Sequence, residues 1–233
     1  MDGRAELRRL TGALVVSCQA REGNPLHGPG FMAAMARAAV LGGAVGIRAD
    51  GAADVGAIRA AVGPSVPIMG IAKETDADDA VFITPSVASA QRVMDAGAAL
   101  IALDGTARPR PGGDTLAAVV AAIQAGGGAA LADVGTVEHA RYAISCGADA
   151  VGTTLSGYTP DSVQGPGQDG PDFALIGHLV AELDVPVFAE GRFWTPEHAR
   201  RALEIGASFV VIGTAITNPL AITERFVRGM GAE

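Results

Sequence analysis

The sequence predicts an α/β fold, a single (β/α)8 TIM barrel occupying residues 1–233 as one domain, and three observations carry that prediction. Eight short aliphatic runs recur along the chain, each almost continuously apolar, as strands covered on both faces of a parallel sheet are. Segments of helical period separate them. Four stretches, LGGAVGIRA, AGAALIALD, CGADAVGTT and IGASFVVIGT, repeat one pattern of helix end, capping glycine and strand. A spacing of about 50 residues is too long for most solenoids and fits βα units with variable loops. Eight strands without a linker then close into a barrel, with a doubly wound open sheet as the alternative.

In chain order the strands are predicted at 13–18, 44–48, 66–71, 99–103, 129–133, 148–153, 185–189 and 208–212, with an extra short run at 81–83. Between the fourth and fifth, Leu116, Val119, Val120 and Ile123 follow the i, i+3, i+4, i+7 spacing of a helix behind Asp114 as its cap. Thr195-Pro196-Glu197 supplies a cap, a proline at the first helical position and an acid in the first turn. Ala199, Ala202 and Leu203 form that helix's apolar stripe, and Gly206 suits a left-handed C-terminal cap.

Composition narrows the function. The chain carries 49% hydrophobic and 18% charged residues, which excludes disorder. A net charge of −8 argues against nucleic acid, though a few local cations suffice for a small anion. The opening MDGRAELRRL has no apolar signal core, so no export signal is expected. The longest uncharged stretch, 115–132, contains Gln124 and three consecutive glycines and reads as a helix running into a strand, not a membrane span. Cys18 and Cys146 are too few for a disulfide scaffold or a cysteine-rich metal site. A cytoplasmic protein is expected. No zinc-type ligand spacing and no glycine-rich phosphate loop occur.

In a barrel, residues at the C-terminal strand ends face the active site. Those positions read Gln19, Arg48, Lys73, Asp104, Asp133, Thr153 or Thr154, Glu190 and Gly213, whereas the opposite ends are mostly Gly, Pro, Ala and Ser. Lys73 is the candidate base, since apolar and cationic neighbours can make a lysine amine neutral; the plainer reading is a surface lysine. Glu190 is the second acid/base group, facing Lys73 across the mouth, or else a structural partner of Arg48 or Arg192. Gly191, Arg192, Gly213 and Thr214 follow strands seven and eight, where barrels often bind phosphate on exposed N–H groups. Gln19, Arg48 and Asp133 are either substrate contacts or hydrogen-bond partners at the mouth. Asp104 also fits a plain Asp-Gly-Thr turn, His27 belongs to the first loop, and Cys18 reads as a small core residue.

The stretches LVVSCQAREGNPLHGP, GAVGIRA, VPIMGIAK, VFITPS, GAALIALDGT, GADAVGTTLSGYT, VFAEGRFWTPEHA and VVIGTAITNP span nearly the whole chain in order. They resemble the N-acetylmannosamine-6-phosphate 2-epimerase family of bacterial sialic-acid breakdown. The resemblance implies a barrel that interconverts N-acetylmannosamine 6-phosphate and N-acetylglucosamine 6-phosphate, with no metal or nucleotide cofactor, and that is typically a homodimer. It places the essential lysine on Lys73 and the catalytic glutamate on Glu190. Sugar-binding residues fall on Gln19, Arg48 and Asp133, and phosphate-binding ones on Gly191, Arg192, Gly213 and Thr214. Two positions depart from the family pattern. Lys73 is followed by Glu74-Thr75-Asp76 in place of Arg-Asp-Tyr, and Asn218 replaces an arginine. An acid beside the lysine would oppose its use as a base unless it points away. The lost arginine would cost a charge-assisted phosphate contact.

The implied chemistry removes the C2 proton of the open-chain sugar, next to the C1 aldehyde, to give a delocalised enolate. Lys73 would take the proton, Glu190 would open the ring or protonate the other face, and Arg48 and Gln19 would steady the oxyanion. Asp133 would orient Lys73 or a hydroxyl, and the phosphate would anchor the substrate. Whether one base or two act is left open by the motifs. Competing readings are a Schiff-base lyase or aldolase with Lys73 as nucleophile, and a barrel that binds a sugar phosphate without turning it over.

Overall fold

Parallel hydrogen bonding runs from each strand to the next in chain order, and the eighth strand returns to the first to close a barrel. The computed structural model describes residues 2–74, 81–162 and 169–231. The strands are β1 (Leu14–Cys18), β2 (Gly46–Asp50), β3 (Ile68–Ile71), β4 (Leu100–Asp104), β5 (Ala129–Asp133), β6 (Ala150–Gly152), β7 (Val187–Glu190) and β8 (Phe209–Ile212). Around them pack α2 (Pro29–Leu41), α3 (Gly51–Val62), α4 (Val87–Asp95), α5 (Leu116–Ala125), α6 (Val137–Ser145), α7 (Phe173–Glu182), α8 (Pro196–Ile205) and α10 (Pro219–Gly229). A leading helix, α1 (Gly3–Arg9), and a single turn, α9 (Thr214–Thr217), complete the described helices. No described helix is long and apolar enough to cross a membrane.

All eight expected runs are strands, and the 81–83 run contributes an antiparallel bridge from Ile83 to Lys73. The repeated glycines sit where the pattern placed them. Gly43, Gly97, Gly147 and Gly206 all take positive φ at the helix-to-strand corners, a conformation that costs a glycine little. Two readings need correction. The second strand does not end at Arg48 but continues through Asp50, and its first two expected residues lie outside it. The apolar run breaks at Arg48 because that side chain turns into the barrel, not because the strand stops. The cap of α5 is Thr115, whose hydroxyl accepts the Ala118 N–H at 3.2 Å, while Asp114 accepts instead from the N–H of Val87 at 2.8 Å. Thr195 caps α8 and Gly206 ends it in the left-handed region, as read from sequence.

Alternation along each strand sorts the core into an inner and an outer layer. Val15, Met69, Ile71, Leu100, Ala102, Ala129, Leu131, Ala150, Phe188, Phe209 and Val211 form one cluster that fills the barrel. Their neighbours Val16, Ile47, Ile68, Ile101, Ala130 and Val151 pack outward against the helices. Phe188 and Phe209 stack at 5.2 Å, and Phe188 lies over Gly152, where an added Cβ would stand 2.0 Å from its ring. Only a glycine fits there. Leu7 and Leu10 plug the lower end of the barrel from α1. The filled lower layers leave the upper ends of the strands as the open face.

Candidate active site

Carrying the inward alternation one step past the packed layers gives Ser17, Asp50, Lys73, Asp104, Asp133 and Glu190 at the mouth, with Arg48 a layer below Asp50. Polar residues on inward positions above an apolar fill are what a barrel active site requires.

Arg48 is the hub. It is 1% exposed, and its guanidinium meets two carboxylates at once. Nη1 and Nη2 donate to Asp133 at 3.1 and 2.6 Å, and Nη1 also donates to Glu190 Oε2 at 2.6 Å. Thr154 adds its hydroxyl, donating to Asp133 Oδ1 at 2.6 Å. One cation therefore serves two acids, and Asp133 takes both of its arms. Burial, with Asp133 adding to it, lifts the Glu190 carboxyl from 4.5 to about 7, against the pull of Arg48, Lys73 and Thr154. Burial works against the charge on Arg48, but Asp133 and Glu190 together outweigh it and raise its pKa. Thr153 fixes the Glu190 backbone, its hydroxyl donating to the Glu190 carbonyl at 2.8 Å and accepting the Glu190 N–H at 3.1 Å.

Lys73 follows β3 directly. Its Nζ donates to Gln19 Oε1 at 2.5 Å, and the Gln19 amide is oriented in turn by donating to Ser17 Oγ at 2.8 Å. Burial pushes the amine below its ordinary value and Arg48 and Arg21 push the same way, while Asp50 and Glu190 resist. The backbone just before it is pinned by Thr84, a buried threonine at φ +46 whose hydroxyl accepts the Ala72 N–H at 3.1 Å and donates to the Ala102 carbonyl at 2.6 Å. A β-branched residue in the left-handed region is strained, and such strain collects beside active sites. Glu74 points away from the amine, paired with Arg92 on α4. Thr75 and Asp76 lie outside the described residues.

The phosphate candidates leave neighbouring strands, Gly191 and Arg192 after β7 and Gly213 and Thr214 after β8. Gly191 and Arg192 both take positive φ. The Arg192 guanidinium spends Nε on the Gly170 carbonyl at 2.9 Å and Nη1 on that of Ser156 at 2.7 Å, which ties the β6–α7 loop down. Asn218 caps α10, its side-chain oxygen accepting the Ala221 N–H at 3.2 Å. Asp104 is committed to its own loop, through Thr106 and Arg108. Cys18 is buried and faces outward in the core, and burial, with Asp54 adding, raises its thiol to about 12.

The structure thus gathers Gln19, Arg48, Lys73, Asp133 and Glu190 in one mouth and brings two residues that sequence reasoning did not assign. Thr154 was left as one of two strand-end threonines, and Asp50 was passed over because its strand was ended too early. The signal for Asp50 was its even spacing from Arg48. A second overlooked signal is that Lys73 is the only lysine in the chain.

A family model described as "Putative N-acetylmannosamine-6-phosphate epimerase" matches residues 32–232. Proteins of Caldanaerobacter subterraneus subsp. tengcongensis and Cutibacterium acnes, both named "Putative N-acetylmannosamine-6-phosphate 2-epimerase", are 46% and 47% identical, covering 95% and 93% of this chain and 92% and 93% of theirs. The solved N-acetylmannosamine-6-phosphate 2-epimerase from Clostridium perfringens superposes with a TM-score of 0.90 at 42% identity over 95% of both chains. A thiamine phosphate pyrophosphorylase from Pyrococcus furiosus, 17% identical with a TM-score of 0.63 over 94% of this chain and 93% of its own, shares the fold alone. With more than two thirds of its length matched and a solved relative covering its barrel end to end, the chain belongs to the N-acetylmannosamine-6-phosphate epimerase family.

Proposed function

We propose that the mouth of this barrel epimerises N-acetylmannosamine 6-phosphate and N-acetylglucosamine 6-phosphate at C2, with Lys73 and Glu190 as the acid/base pair. The observation that carries the reading is their placement. Strands β3 and β7 stand opposite each other in the eight-stranded ring, so a sugar between them offers one face of C2 to each group. Burial makes the amine easier to deprotonate and the carboxyl easier to protonate, moving both towards the states the reaction needs near neutrality.

In the open-chain sugar, neutral Lys73 takes the C2 proton and the electron pair passes into the C1 carbonyl as an enolate. Glu190 returns a proton to the opposite face of C2, and the enolate collapses to the aldehyde. Each group ends in the other's starting protonation state, and exchange with solvent resets them. Gln19, itself oriented by Ser17, holds the amine. Arg48 holds Asp133 and Glu190 in place. Gly191, Gly213 and Thr214 offer the phosphate backbone N–H groups on two adjacent strand ends, with Arg192 as the nearby cation. A lyase would use Lys73 as a nucleophile and yield a product with fewer carbons.

Two further features belong to the same reading. Helix α10 has no buried residue and exposes Leu220, Phe226, Val227 and Met230, which supports pairing with a second copy of the chain. Free Cys18 and Cys146 suit the reducing cytoplasm. The test is incubation with N-acetylmannosamine 6-phosphate in D₂O, followed by proton NMR. Conversion with deuterium at C2 of the product is expected, and Lys73→Ala should retain no more than about 1% of turnover. Absence of conversion by the parent chain refutes the reading.

A further inference from the structure

Asp50 closes β2 and stands at the N-cap of α3, where an aspartate ordinarily accepts the first-turn N–H groups. Its carboxylate makes no such bond. Both oxygens go to Lys73 instead. Oδ1 accepts the Lys73 backbone N–H at 2.9 Å, and Oδ2 stands 3.8 Å from Nζ of the same residue. One side chain thus holds the lysine at its root and at its tip.

The charges around the amine explain what such a hold would do. Arg21 from the β1–α2 loop and Arg48 from β2 both act against its protonation, and Glu190 acts for it from across the mouth on β7. Gln19 contributes a neutral oxygen, and Glu74, next in the chain, is spent on Arg92. Asp50 itself is faced by Asp54 on α3, and Asp54 is in turn offset by His27. Asp50 is therefore the anion that answers two arginines.

We propose that Asp50 is a positioning residue for the reaction, holding Lys73 at its backbone N–H and setting its amine towards the mouth. The proposal rests on the reading of Lys73 as the base.

Because Lys73 is the only lysine, the untagged chain grown with [¹³Cε]lysine gives one lysine resonance, and its pH titration reads this amine directly without substrate. Asp50→Asn keeps the acceptor for the backbone N–H and removes the charge, so the fold is retained. Its titration midpoint should fall by about half a pH unit or more, and Asp50→Glu should restore it. With N-acetylmannosamine 6-phosphate, kcat of Asp50→Asn should fall about tenfold with KM within about twofold, and the acidic limb of the rate profile should move with the NMR midpoint. An unmoved midpoint overturns the proposal, whatever happens to kcat, because a merely structural aspartate would lower the rate and leave the titration alone. Failure of the parent chain to convert the substrate would refute the epimerase reading separately, and the midpoints would still decide the proposed hold of Asp50 on the amine.

Discussion

Replacing Glu190 by glutamine should make the folded chain less sensitive to alkali, by an amount that follows from the Arg48 hub. Glu190 shares one guanidinium with Asp133, and its carboxyl titrates at about 7 where an ordinary glutamate titrates at 4.5. A carboxyl whose folded pKa is raised holds its proton more tightly in the native state than in the unfolded one. Its contribution is fully present below pH 4.5 and is lost as pH rises through about 7. The difference between those two values corresponds to about 3 kcal/mol. Glutamine is neutral throughout and nearly isosteric. Urea unfolding followed by the single tryptophan, Trp194, should give a stability difference, variant minus parent, that grows by about 2.5 kcal/mol between pH 5 and pH 8. The four histidines also titrate in this window, but they are common to both chains and cancel in the difference. Equal differences at the two pH values would refute the argument that Glu190 carries the proton of the hub.

Two other perturbations probe the same mouth. Arg48→Met leaves Asp133, fully buried, without its cation, and should cost about 3–5 kcal/mol in urea unfolding at pH 8. Less should be lost at pH 5, where Glu190 is neutral. Arg92→Ala releases Glu74, the acid next to Lys73, and should raise the midpoint of the single lysine resonance by about a few tenths of a pH unit, small because the pair is exposed. A midpoint that stays in place would mean that Arg92 is not what keeps Glu74 away.

The barrel was legible because each strand is buried on both faces and so reads as an unbroken apolar run, while glycines with positive φ mark the corners between helix and strand. The candidate site residues were legible for a related reason. Lys73, Asp133 and Glu190 are the polar residues that end such runs, and the end of a run coincides with the end of the packed interior. Arg48 broke that rule. A run also ends where a charge points inward below the mouth, and nothing local distinguishes that from a strand end. The error at β2 hid Asp50, although its two-residue spacing from Arg48 puts it on the same face. The pairing of Glu74 with Arg92, 18 residues away, and the Asn218 cap depend on where helices land, which local patterns do not state.

The departures from the family pattern therefore weigh less on the chemistry than their composition suggests. Glu74 would threaten a lysine base only if its charge reached the amine, and Arg92 takes it instead. Asn218 removes a cation but gains a helix cap, and Gly213 and Thr214 keep their places on the strand end before it. What the site cannot give up is the balance around Arg48. Two carboxylates share one guanidinium, Asp133 takes both arms, and burial lifts the Glu190 carboxyl to about 7. Across the ring burial pushes the Lys73 amine below its ordinary value while it lifts the Glu190 carboxyl to about 7, so the two move towards each other. For the proposed acid and base, burial supplies the shift in both groups, while Arg48 fixes the Glu190 carboxyl in place and acts against the charge on Lys73.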